Sequence, residues 1–216
     1  MQAVEVAFLS VRQPHRALWP LVRVAASILE RASVPVRFHV VADQARGPVL
    51  HSLRSMLRHA SWQVHAIRDA PPYAARLHAK LCALGCAGPY CDAYLHKLLL
   101  HLYLAPLRRV IFLDSDVRVM SDIDSLWRAF DDFGGEELIG LANESNAFLS
   151  QEPVVARGGI SSNGGVVLLQ LAGMRRRGFT DVLWRYARRD ASLPLNAGRG
   201  VGWAAEQVRR LLVDVD

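Results

Sequence analysis

The stretch Arg109-Val110-Ile111-Phe112-Leu113-Asp114-Ser115-Asp116-Val117 runs an apolar segment straight into two carboxylates one residue apart. An uninterrupted apolar run of this length suits a strand buried on both faces. Ionised aspartate is costly to bury alone, so the pair belongs at the end of the strand, hydrated or neutralised by a cation. In an extended backbone both carboxylates project to the same side, because side-chain direction repeats every two residues. Two anions that close repel unless a cation lies between them. A hard divalent ion, Mn2+ or Mg2+, meets that need and accepts substrate phosphates as further ligands. The alternative is a solvated strand end whose aspartates cap a turn.

The rest of the chain alternates strand and helix patterns around this segment. Val4 to Leu9, Val36 to Val41 and Trp62 to Ile67 read as strands. Leu18, Leu21, Val22, Ala25, Ile28 and Leu29 recur at helical spacing, as do Val49, Leu50, Leu53, Met56 and Leu57. Tyr94, Leu95, Leu98, Leu99, Leu102 and Tyr103 predict one further helix, closed by Pro106. Between Pro71 and Pro89 the signals are mixed. Asp122 or Ser121 can cap a helix through Leu126, Trp127 and Phe130. Leu138 to Ala142 and Val166 to Leu171 are strand candidates either side of a Gly- and Ser-rich loop, and helices are expected over 181–188 and 204–212. This alternation predicts a three-layer α/β fold with a mostly parallel sheet and helices on both faces. Such sheets bind ligands beyond the C-terminal ends of their strands, at a switch in strand order, and Asp114 and Asp116 fall on that edge.

The chain has 216 residues, 51% hydrophobic and 21% charged, which suits one domain, 1–216, with a substantial core. Its net charge is +6, and only Lys80 and Lys97 are lysines, so nearly all the basic charge is arginine. That balance favours anionic partners such as phosphates. The Arg clusters are short and lack interleaved aromatics, so no nucleic acid is expected. Charges interrupt every apolar run before a membrane span is reached, and the N-terminus has no signal-peptide pattern. Cys82, Cys86 and Cys91, followed by His96 and His101, do not match a standard zinc spacing and read as small buried residues.

The continuation RRVIFLDSDVRVMSDIDSLW, residues 108–127, resembles the nucleotide-sugar glycosyltransferases of the GT-A fold. The resemblance is to family eight, which includes glycogenin and the glucoside xylosyltransferases. Three more stretches agree in order and spacing. Tyr94-Leu95-His96-Lys97-Leu98 resembles the family's helix bearing a donor-binding lysine. Ser162-Asn163-Gly164-Gly165-Val166-Val167-Leu168-Leu169-Gln170-Leu171 resembles its NSGVMLLN segment, and Gly202-Trp203-Ala204-Ala205-Glu206-Gln207 its GDQ or ADQ element.

The resemblance implies a metal-dependent transfer of xylose, glucose or a similar sugar from a UDP-sugar to a glycan or protein-linked acceptor, with retention of anomeric configuration. Phe8, Leu9 and Ser10 would hold the uracil and ribose. Asp114 and Asp116, flanking Ser115, would engage ribose and Mn2+ or Mg2+, and Lys97 would oppose the donor's charge. Asn163, Gly164 and Gly165 would meet sugar hydroxyls, and Glu206 and Gln207 would face the anomeric carbon. A glutamate stands at 206 where the family usually has Asp, so its reach differs by one methylene. The family's tail carries a metal-binding His, whereas all eight histidines here lie between His15 and His101. The expectation is therefore a metal site short of one ligand. The alternative function is a catalytically weak or inactive, truncated GT-A-like domain that binds a partner or glycan. A haloacid-dehalogenase-like phosphatase also uses a strand ending in D-x-D, but Arg118 stands where its motif prefers Thr or Val. The resemblance suggests the Golgi lumen for an anchored longer form, and otherwise the cytoplasm.

Overall fold

The computed structural model describes residues 3–12, 18–83, 91–134, 136–143 and 162–188, with backbone alone at Cys91, Ala142, Asn143, Ser162, Asn163 and Tyr186. In chain order the strands are β1 (Val4–Ser10), β2 (Val36–Ala42), β3 (Ser61–Ala66), β4 (Val110–Leu113), β5 (Ile139–Asn143) and β6 (Ser162–Leu169). The helices are α1 (Trp19–Leu29), α2 (Arg46–Met56), α3 (Pro72–Ala83), α4 (Cys91–Leu98), α5 (Leu100–Tyr103), α6 (Ile123–Arg128), α7 (Leu171–Arg176) and α8 (Phe179–Arg188).

The six strands form one mixed, mostly parallel sheet in the order β3-β2-β1-β4-β6-β5. β1 pairs in parallel with both β2 and β4, and β2 with β3, while β6 runs antiparallel to β4 and β5. The inner strands are largely apolar on both faces because both are covered, whereas the edge strand β3 buries only its Trp62, Val64 and Ala66 face. On one face Val6 and Phe8 of β1, Phe38 of β2, Trp62 of β3 and Ile111 of β4 pack against α1, α2 and α6. On the other, Ala7, Val41, Phe112 and Val167 pack against α3, α4, α5, α7 and α8. Three layers result, as the alternating pattern predicts. Among the described residues no helix is long and apolar enough to cross a membrane.

Local details depart from the sequence reading in four places. Pro72–Ala83 is a regular helix whose start uses Pro72, where proline costs nothing because its N–H would be unpaired. The helix expected over Tyr94 to Tyr103 is broken at Leu99, the junction between α4 and α5, where φ is −96° and ψ 2°. Strand β6 begins at Ser162, four residues before the expected start at Val166, so the Asn163-Gly164-Gly165 segment lies within it. It also ends at Leu169, and Leu171 opens α7. The Asp122 cap is as expected: its side chain accepts from the Asp124 N–H at 3.1 Å, and from the Ser33 N–H at 3.3 Å. The helix expected over 204–212 and most of the Gly- and Ser-rich loop lie outside the described residues.

Candidate functional site at the β1–β4 edge

Strand order turns at β1. The chain adds β2 and β3 on one side of it, then returns to place β4 on the other. The ends of β1 and β4 therefore flank a topological switch point, where the two flanking loops diverge and leave room for a ligand. Ser10 closes β1 and Asp114 follows β4.

Asp114 is held by its backbone and by its side chain. Its N–H donates to the Gly165 carbonyl of β6 at 2.8 Å. Lys97 Nζ reaches both carboxylate oxygens, at 2.8 and 2.9 Å, and donates to the Gly164 carbonyl at 3.0 Å. The same ammonium lies 4.8 Å from the ring centroids of Tyr94 and Phe112. Lys97 is thus nearly buried while Asp114 stays 38% exposed. A charge so enclosed needs this many partners, because desolvating an ammonium without them is costly. The cation opposite Asp114 is a side chain of the protein itself.

The D-x-D segment is not extended. The Val117 N–H meets the Asp114 carbonyl at 3.4 Å, so Asp114 to Val117 forms a turn, with Ser115 part-exposed and Asp116 exposed. The same-side projection expected of an extended backbone therefore does not apply: the ladder ends at Leu113, and the chain curls over the end of the sheet. Both carboxylates remain open to solvent as hard oxygen donors, a chemistry that suits Mn2+ or Mg2+.

The three β1 residues differ in role. Phe8 is fully buried, stacked on Phe38 with centroids 6.1 Å apart and tilted against Trp62, so its side chain belongs to the core and only its backbone can meet a ligand. Leu9 is partly buried against the opposite face. Ser10 is fully buried, and its Oγ has no hydrogen-bond partner among the described residues. Gly164 lies against Tyr94: a Cβ there would sit 2.5 Å from the phenol oxygen, so glycine makes room for the Tyr94 hydroxyl against β6. Asn163 pairs with Ala142 beside a β-bulge, its backbone alone described, and Gly165 supplies the carbonyl to Asp114. Glu206 and Gln207 lie outside the described residues.

Tyr94 is the site residue that pattern reading places only as an apolar helix position. Its spacing from Lys97, three residues along α4, is the signal that both share one face. The opposite face of α4 carries His96, whose pKa burial, and then the neighbouring His78, push down to about 4.

Residues 16–197 match the family described as Glycosyl transferase family 8. The chain is 32% identical to xylosyl- and glucuronyltransferase LARGE2 of Homo sapiens over 193 residues, covering 85% of this chain and 25% of that protein. Its identity to LARGE1 of Homo sapiens is 31% over 175 residues, 76% of this chain and 22% of that protein. The chain thus spans about a quarter of the length of these relatives. Among solved structures it resembles mouse xyloside xylosyltransferase 1, with a TM-score of 0.60 and 20% identity over 84% of this chain and 72% of that one. It also resembles the galactosyltransferase LgtC, with a TM-score of 0.59 and 19% identity over 83% of this chain and 62% of that one. These two likenesses identify the GT-A fold, and the extent of the family match leads to one conclusion: the chain belongs to glycosyl transferase family 8.

Proposed function

We propose that this chain transfers a sugar, xylose, glucose or a close relative, from a UDP-sugar to a glycan or protein-linked acceptor. The observation that carries this reading is Asp114, held by Lys97 and Gly165 at the switch point between β1 and β4. The backbone at the end of β1, with Leu9 and Ser10, would receive the nucleoside, and the orphan Ser10 Oγ is a polar atom that a ligand could satisfy. Asp114 and Asp116 would hold Mn2+ or Mg2+. Such an ion, when bound, supplies Lewis-acid neutralisation of a diphosphate.

Lys97 would keep Asp114 oriented and add positive charge beside the leaving diphosphate. Gly165 would let sugar hydroxyls approach the β6 backbone, Gly164 makes room for Tyr94 beside them, and Asn163 offers both donor and acceptor. Glu206 and Gln207 would face the anomeric carbon, where a carboxylate favours an oxocarbenium-like transition state with retention of configuration. The similarity to the LARGE xylosyl- and glucuronyltransferases favours a xylosyl or glucuronyl donor.

Calorimetry with UDP and Mn2+ on the wild type and on Asp116→Ala tests the site. Weaker binding by the variant is expected, and equal binding by both rejects it. Sugar transfer or UDP-sugar hydrolysis by the wild type separates an enzyme from a domain that only binds.

A further inference from the structure

Helix α4 presents polar groups on two sides. Tyr94 and Lys97 serve the β1–β4 edge, whereas Asp92 and His96, one helical turn apart, meet α3. There His78 Nε2 lies 3.3 Å from Asp92 Oδ1, and the His78 ring stacks on His96 with centroids 3.9 Å apart and planes at 11°. One ligand atom from each of His78, Asp92 and His96 lies within 4.8 Å of the other two. Asp92 is 8% exposed and His96 6%.

The surroundings orient these donors. His96 Nδ1 is 2.8 Å from the Tyr103 hydroxyl, itself nearly buried, which leaves Nε2 as the nitrogen able to ligate. A hydrogen bond on the second ring nitrogen is the usual way a protein fixes the tautomer of a metal-binding histidine. The second Asp92 oxygen is occupied by Arg12 Nε at 3.1 Å, leaving Oδ1 for one-oxygen ligation. Two imidazoles stacked face to face make poor partners for each other, and either one protonated would set a cation against its neighbour. A metal ion takes the place of that proton once the two rings tilt out of the stack, so that the in-plane lone pair of each meets it.

We propose that His78, Asp92 and His96 form a divalent transition-metal site distinct from Asp114 and Asp116, one that ties α3 to the helix bearing Lys97. Two imidazole nitrogens and one carboxylate oxygen favour Zn2+, whereas an all-oxygen pair favours Mn2+ or Mg2+. Metal bound only in the folded state adds to stability, so Zn2+ raises the unfolding midpoint.

The test uses the full chain, stripped with chelator and titrated with Zn2+ by calorimetry, with Co2+ absorption as a second readout. Wild type and Asp116→Ala are expected to bind Zn2+ alike and to show the intense visible bands of low-coordinate Co2+. His78→Gln is expected to lose both signals while keeping its UDP and Mn2+ binding. Tyr103→Phe retains the three ligands and should bind Zn2+ about 10- to 100-fold more weakly. Absence of Zn2+ binding by wild type, or undiminished binding by a folded His78→Gln, overturns the site. Loss of Zn2+ binding in Asp116→Ala would show that the ion had been at the D-x-D segment, and would overturn it equally.

Discussion

Lys97 holds Asp114 through both carboxylate oxygens, at 2.8 and 2.9 Å, joining α4 to the end of β4. The pair lies beside a strand carbonyl and two aromatic rings, so it is shielded on the lysine side and open to solvent on the other.

Lys97→Met should therefore lower stability by about 2 kcal/mol, the scale of a hydrogen bond to a charged group, reduced by solvent screening at Asp114. Asp114→Asn should cost more, since it leaves the nearly buried ammonium without its counter-charge and sets an amide NH2 against it. Urea unfolding of both variants measures the difference. Equal losses would mean that the ion pair does not anchor the site.

Gly164→Ala brings a methyl group to 2.5 Å from the Tyr94 oxygen, which must then move. A cost of about 1–3 kcal/mol is expected for such overpacking. Tyr94→Phe removes the nearest atom, so the double variant should recover part of that loss. A double-mutant cycle should give a coupling of at least about 0.5 kcal/mol, and additivity would contradict the contact.

His101 is fully buried, with Nδ1 3.0 Å from the Leu98 carbonyl and Nε2 2.8 Å from Thr180 Oγ1. Burial, opposed by the Leu98 hydrogen bond and aided by Arg175, depresses its pKa from 6.5 to about 4. The unfolded chain thus takes up a proton below pH 6.5 that the folded state refuses until about pH 4. Stability should fall as pH drops through that window, by up to about 3 kcal/mol from this residue. His65 has its pKa lowered to about 4 as well, chiefly by burial, and adds the same sign. Denaturant midpoints between pH 7 and pH 4 check this, and His101→Gln should flatten the slope.

Phe8→Leu should reduce stability by roughly 1–2 kcal/mol, because it loosens the cluster with Phe38 and Trp62. UDP affinity should stay within about twofold, a change near 0.4 kcal/mol. A large loss of UDP binding by the folded variant would mean that the Phe8 ring reaches the ligand.

Much of this arrangement is legible in the order of residues. The period-two faces of Val4–Ser10 and Val36–Ala42, and the apolar Val110–Leu113, predict a buried parallel sheet because only strands covered on both sides tolerate such runs. The helix over Pro72–Ala83 was obscured by the prolines at its start and the breakers beyond it, although proline in a first turn is compatible with a helix. Asp92 and His96 stand at i, i+4 spacing, but their partner His78 comes from another helix, and local spacing carries no information about which helix faces which.

The sequence by itself determined the layered architecture, the placement of Asp114 at a strand end, and the Asp122 cap, since each depends on side-chain periodicity or on groups a few residues apart. Tertiary structure alone decided that Lys97 neutralises Asp114, that Gly164 must make room for Tyr94, and that His78 meets His96. Those contacts join residues between 17 and 70 positions apart, and they exist only once apolar burial has packed α3, α4 and β6 around β4.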